Sequence, residues 1–229
     1  MNINPEFVNS KDVLDHGRIE LLEIMGNDHT PANDARVSYA SNETRRASDD
    51  EQLTRYLLRH LHMSPFEMIE TKWRIKMPIF VARQHIRHRM SSTNERSLRY
   101  SEAVNDFFIP SYLKKQSTQN HQGSQEDPFL SPDVNDDFLN KVKKQTDDTY
   151  ELYQELIDND VSREIARTIL PVSGYTEMIW KIDLRNLFNY LKLRLNNHAQ
   201  YEIRVYAQAM YDILKQYLPM CMKAFDDYI

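Results

Sequence analysis

Between residues 69 and 77 the chain changes character at every step: Ile69, Thr71, Trp73, Ile75 and Met77 alternate with Glu70, Lys72, Arg74 and Lys76. A period of two predicts a half-buried strand, one face on a core and the other toward water. Residues 18–25 and part of 174–182 predict two further strands. Other stretches carry the helical period. Thr30 and Pro31 supply an N-cap and a first-turn proline for a helix to about Ser38. Ser48 and Glu51 have capping-box spacing, and Leu53, Tyr56, Leu57 and Leu61 follow at helical intervals, predicting a helix to about His62. Pro78 closes the central strand and opens a helix through IFVARQHIRHR, residues 79–89. An amphipathic helix is expected over 133–158, and a shorter one over 163–170 that Pro171 stops.

Past Asp183, Leu184, Leu187, Phe188, Leu191 and Leu195 form one apolar stripe. Arg185 and Asn189, four apart, share a face of that helix, while Arg194 lies roughly 140° round from Asn189, on the opposite border of the stripe. A last helix spans about 198–218. Without an internal repeat or a βαβ alternation, the fold class is α+β. Residues 114–132, KKQSTQNHQGSQEDPFLSP, have few apolar anchors and predict a mobile surface excursion with no catalytic role.

Composition narrows this picture. At 229 residues, with 41% hydrophobic and 28% charged positions, the chain predicts one folded domain over 1–229. The longest apolar run, 77–82, is far short of the roughly 20 residues a membrane helix needs, and the polar start lacks a signal-peptide pattern, so a cytoplasmic protein is expected. Cys221 is the single cysteine, which excludes an intrachain disulfide framework. Net charge is −5, yet residues 83–99 hold five arginines against Glu95 alone, a local balance of +4. Only Gly17, Gly26, Gly123 and Gly174 are available, too scattered for a glycine-rich phosphate loop. Phosphates, if bound, must be held by arginines or helix N-termini.

The segment RHRMSSTNERSLRY, residues 87–100, combines guanidinium forks, hydroxyls and an amide, groups that chelate oxyanions and stack on flat heterocycles. A solvated basic helix end has the same composition, but the preceding PIFVA run anchors this segment to a core. Cys221 reads as a packing residue. Ser97 reads as a hydrogen-bond donor, because a serine nucleophile needs a positioned base. On a helix His60 and His62 would point roughly 200° apart, whereas His85 and His88 could share an ion; no acidic partner stands near, so no metal is expected. Arg194 by itself reads equally as a residue snorkelling from the edge of the leucine stripe.

Nine positions of this segment, Arg87, His88, Arg89, Ser92, Asn94, Glu95, Ser97, Arg99 and Tyr100, resemble the signature of flavin-dependent thymidylate synthases. The resemblance extends to HMSPFE at 62–67, ARTILP at 166–171 and the block from Arg185 through His198 to Gln200, in the family's order. It implies a homotetramer with a central, mostly antiparallel or mixed sheet flanked by helices. It also implies synthesis of dTMP from dUMP, with methylenetetrahydrofolate as carbon donor, a hydride from FAD, NADPH as reductant of FAD, and no cysteine nucleophile. By that resemblance Ser64, Arg87, His88, Arg89, Glu95, Asp183, Arg185 and Asn189 are FAD contacts. Gln84, His85, Ile86, Arg87, Glu95, Arg96, Ser97, Leu98, Arg99 and Arg167 are dUMP contacts, with Ser97, Arg99 and Arg167 near the phosphate. Arg194 matches the arginine that polarises the uracil, and His62 a histidine near flavin and folate. The chain departs from the family at Asp183, where asparagine is usual, and in a longer excursion at 114–132. A nucleic-acid-binding module built on the arginine patch is the competing reading; the acidic net charge and the lack of a nucleic-acid motif weigh against it.

Overall fold

In the computed structural model, which describes residues 3–38, 49–118 and 122–229, the alternating segments lie side by side. Strands β1 (Ser10–Val13), β2 (Gly17–Met25), β3 (Glu70–Pro78), β4 (Ser92–Glu95) and β7 (Tyr175–Asp183) form one sheet in the order β1-β2-β3-β7-β4. Every pairing in it is antiparallel. Thr71, Trp73, Ile75 and Met77 of β3 and Thr176, Met178, Trp180 and Ile182 of β7 are buried on one face, as the period of two requires. The other face carries cross-strand ion pairs, among them Lys72–Glu23 and Lys181–Glu70.

Helices cover the apolar face: α3 (Ile79–His85), α6 (Leu184–Arg194) and α7 (Tyr201–Tyr217), with α2 (Asp50–Arg59) and α8 (Pro219–Tyr228) continuing the same core. Leu184, Leu187, Phe188 and Leu191 are buried, as the stripe predicted. Gly17 lies where helix meets sheet: a β-carbon there would stand 2.0 Å from the Tyr206 hydroxyl and 2.4 Å from the Val13 carbonyl oxygen. That hydroxyl donates to the carbonyl of Lys76 at 2.8 Å, pinning α7 to β3. The long helix α4 (Pro132–Asp158) leaves Val134, Phe138 and Val142 exposed at four-residue spacing.

Several expectations are corrected. The N-cap of α2 is Asp49, whose carboxylate accepts from the Gln52 amide at 2.8 Å; Ser48 lies outside the described residues. The helix begun at Ile79 ends at His85 rather than 89, because the following residues leave it and pair as β4 with the edge of β7, a tertiary contact that overrides local preference. After α7 the chain restarts as α8 behind Pro219, and the buried Asp28 carboxylate accepts from the amides of Met220 and Cys221 at its N-terminus. Within the polar excursion, β5 (Lys114–Gln116) and β6 (Ser124–Pro128) form an antiparallel hairpin, and the Lys114 ammonium sits 4.3 Å from the Tyr201 ring centre on α7. Among the described residues no helix is long and apolar enough to cross a membrane.

Candidate active site

The residues expected to act together fall into three groups on this chain. The first forms where the end of α6 meets α3. Arg194 donates from Nε to His88 Nε2 at 3.1 Å and from Nη2 to the Gln84 carbonyl at 3.4 Å. Such a bond needs a neutral imidazole, and the site enforces one: burial, then the nearby Arg194 charge, lowers the His88 pKa to about 4. No carboxylate pairs with Arg194 among the described residues, so its charge is oriented but not neutralised. Gln84 also reaches forward to Gln200 just ahead of α7. Arg87 and Arg89 stand exposed beyond the end of α3, without a side-chain partner among the described residues.

His85, for which the resemblance implied a dUMP contact, is enclosed in the core. It is fully buried, its ring 4.3 Å from that of Trp180 and its Nδ1 3.2 Å from the Tyr190 hydroxyl. Desolvation, reinforced by His88 and Arg194, takes its pKa to about 3. The whole residue is enclosed, whereas Ile86 next to it is 44% exposed.

The second group borders the start of α6. A 3₁₀ turn over Ser64–Met68 packs on that helix through Phe66 and Phe188, whose ring centres are 5.8 Å apart, and Glu67 pairs with Arg185. Ser64, Arg185 and Asn189 are exposed on this side. Asp183, expected at the cofactor, is occupied as the α6 N-cap: Oδ1 accepts from the Asn186 amide at 2.9 Å and Oδ2 from the Asn186 side chain at 2.6 Å. Leu61 has a positive φ of 57°, and the chain turns there instead of continuing as helix. His60 and His62 therefore bring their ring centres to 6.3 Å, against the helical geometry that would separate them, and each also meets the Tyr56 ring.

The third group surrounds a cavity of about 140 Å³ beside β4, lined by Glu95, Arg96, Leu98 and Arg167. The Thr176 hydroxyl donates to Glu95 at 2.7 Å, and Arg96 donates to the Ser101 hydroxyl and the Glu102 carbonyl. Arg99 pairs with Glu164 at 3.2 Å, both more than half exposed. Among the described residues no hydrogen bond joins the Ser97 side chain to a histidine; its hydroxyl accepts from the Arg99 amide at 3.3 Å. Arg167 has no side-chain partner among the described residues. No hydrogen bond or ion pair among the described residues joins this group to Arg194.

Sequence reasoning gave no role to Glu67, Tyr190 or Gln200. Glu67 and Gln200 lay inside recognisable blocks, whereas Tyr190, on the buried face of α6, gave no signal apart from apolar spacing. Nor did it connect the excursion to the site: the β5–β6 hairpin walls a cleft of about 1060 Å³ whose other side includes Phe80, His198 and Gln200. Cys221 is fully buried, and burial followed by the nearness of Asp28 pushes its thiol pKa up, so it is held as an unreactive thiol.

Comparison with known proteins identifies the family. Residues 20–220 match the family described as thymidylate synthase complementing protein. The flavin-dependent thymidylate synthase of Wolbachia pipientis wMel is 47% identical over 218 residues, covering 94% of this chain and 76% of the relative. That of Thermus thermophilus is 43% identical over 217 residues, 95% of this chain and 78% of the relative. Among solved structures, the UMP/dUMP methylase PolB from Streptomyces cacaoi bound with 5-Br dUMP superposes with a TM-score of 0.83 at 28% identity, covering 95% of this chain and 98% of that one. The chain belongs to the flavin-dependent thymidylate synthase family of enzymes.

Proposed function

We propose that the protein makes dTMP from dUMP in the cytoplasm, taking the methylene carbon from methylenetetrahydrofolate and a hydride from FAD that NADPH has reduced. The observation that carries this reading is Arg194, a guanidinium fixed by a neutral histidine and a backbone carbonyl with no carboxylate paired to it among the described residues. Set against a uracil carbonyl, that charge stabilises the negative charge that develops when the ring is attacked at C6 and when N3 ionises. The buried Cys221 is unsuited to act as nucleophile, which supports a route without a covalent enzyme adduct.

The donor set fits FAD. Arg87 and Arg89 are unpartnered guanidinium groups suited to a diphosphate, and Ser64, Arg185 and Asn189 offer hydrogen bonds on one exposed side. When bound, reduced FAD supplies the hydride. Arg167, which lines the cavity beside β4, provides charge for the dUMP phosphate, joined by Ser97 and by Arg99 once Arg99 exchanges Glu164 for the ligand, a small cost for an exposed pair. His62, exposed in its aromatic group with Tyr56 and His60, offers a ring for stacking with a flavin or pterin.

Because Arg194 and Arg167 belong to unconnected groups, the reading includes a homotetramer in which one subunit supplies Arg194 and its neighbour Arg167. The exposed apolar stripe of α4 supports burial between subunits. The test is Arg194→Ala in flavin-loaded protein: dTMP formation should fall by about 10²- to 10³-fold while the visible flavin spectrum persists. Full activity in that variant would remove Arg194 from the chemistry. Failure of the wild-type protein to take up any flavin on reconstitution would overturn the whole reading.

A further inference from the structure

Beneath Arg194, α3, the turn that follows it, α6 and β7 bring four rings into one cluster. His85 lies 4.3 Å from Trp180 and 5.1 Å from Tyr190, and Tyr190 meets His88 edge-on at 4.8 Å with an interplanar angle of 72°. Tyr190 and His85 are both fully buried and touch through the hydroxyl and Nδ1 at 3.2 Å. Nearby, His85 Nε2 and Trp180 Nε1 are buried without a hydrogen-bond partner among the described residues. Unpaired polar atoms of this kind cost stability that an all-apolar cluster would keep. The cluster is therefore a poor solution to core packing alone, and its outermost ring is the one that accepts from Arg194.

We propose that Tyr190, held by its hydroxyl to His85, is a positioning residue that sets the His88 ring and through it the Arg194 guanidinium. This rests on the reading of Arg194 given above. His88 is only half-buried, and the Tyr190 ring packs against it in a T-shaped contact. The charged and titratable groups facing His88 are Arg194 on α6 and His85 on α3. Burial and the Arg194 charge oppose a proton on His88, which keeps Nε2 an acceptor for the arginine. Tyr190 also excludes water from the ring, and loss of that cover brings the imidazole closer to its ordinary pKa.

The experiment compares Tyr190→Leu and Tyr190→Phe with wild type as FAD-loaded enzyme, measuring kcat, KM for dUMP, bound flavin, melting temperature and the acid limb of kcat against pH. The leucine variant should lose about tenfold in kcat, less than the roughly hundredfold that an ångström of misplacement costs, with flavin fully bound and KM little changed. Phenylalanine, which keeps the ring edge, should recover most of that loss, and in both variants the acid limb should move to higher pH, further for leucine. Wild-type kcat in the leucine variant, or a loss that merely tracks lost flavin, overturns the proposal. If leucine prevents folding, an acid limb unmoved in the phenylalanine variant does so instead. Full activity of Arg194→Ala would sink the reading of Arg194, whereas the packing of Tyr190 on His88 is then tested apart from activity by the His88 imidazole titration followed by NMR in wild type and Tyr190→Leu, where an unmoved pKa would overturn it.

Discussion

His85 sits between Trp180 and Tyr190, fully buried, with its pKa lowered to about 3. In the unfolded chain the same imidazole binds a proton below its ordinary pKa of 6.5, whereas the folded protein refuses one until pH is far lower. The unfolded state therefore holds the extra proton, and stability falls as pH drops from about 6.5, with a limiting slope of about 1.4 kcal/mol per pH unit for each such group. His88 adds to this loss down to about pH 4, and below that His85 continues alone to about pH 3. Replacing His85 with phenylalanine should remove one of the two contributions. Urea titrations from pH 7 to pH 4 are expected to show a shallower decline for His85→Phe, and identical slopes would contradict the burial of a neutral ring. The sequence placed His85 and His88 three residues apart but could not show which faced inward. That depended on where α3 stopped, and α3 stopped where β4 found an edge to pair with.

At the scale of elements, helix α6 carries one group of candidate residues at each end, so its first turn matters to both. Asp183 caps it with both carboxylate oxygens. Asp183→Ala should cost about 1 kcal/mol of stability, as loss of an N-cap does, while FAD affinity changes little; a large loss of flavin binding at unchanged stability would restore Asp183 as a cofactor contact. The strands β2, β3 and β7 and the stripe on α6 were legible in the sequence because each repeats one period over eight or more residues. Elements of four or five residues were not. β1 buries only Val13, β4 is exposed along its whole length, and the 3₁₀ turn at 64–68 buries only Phe66, so none carries a pattern that local spacing can reveal. The hairpin within the excursion was hidden for the same reason, since its described strand residues carry no apolar face.

For the molecule as a whole, the residue types of the site were readable but their distribution was not. Arginines at 87, 89, 167, 185 and 194 were evident as a set, while only the fold shows them divided among three groups, with no hydrogen bond or ion pair among the described residues between the first and third. A division of this kind has a consequence for mixed oligomers. Arg167→Ala and Arg194→Ala should each be inactive alone, yet subunits of the two variants assembled together should regain measurable dTMP formation, because some sites would combine an intact Arg167 with an intact Arg194 from different chains. Mixtures as inactive as the parents, with mixed oligomers verified by mass, would mean that each chain completes its own site.

The seat of Tyr206 over Gly17 restricts which sequences this fold can explore. Two atoms crowd the place of a β-carbon at position 17, and only one of them belongs to a replaceable side chain. Trimming Tyr206 would clear the hydroxyl but leave the Val13 carbonyl, which every residue at position 13 possesses. The two positions are thus coupled in one direction only: Tyr206 can vary while Gly17 stays, whereas no substitution at 206 opens position 17, and descendants of this chain can lose the α7 tether without ever gaining a side chain beneath it.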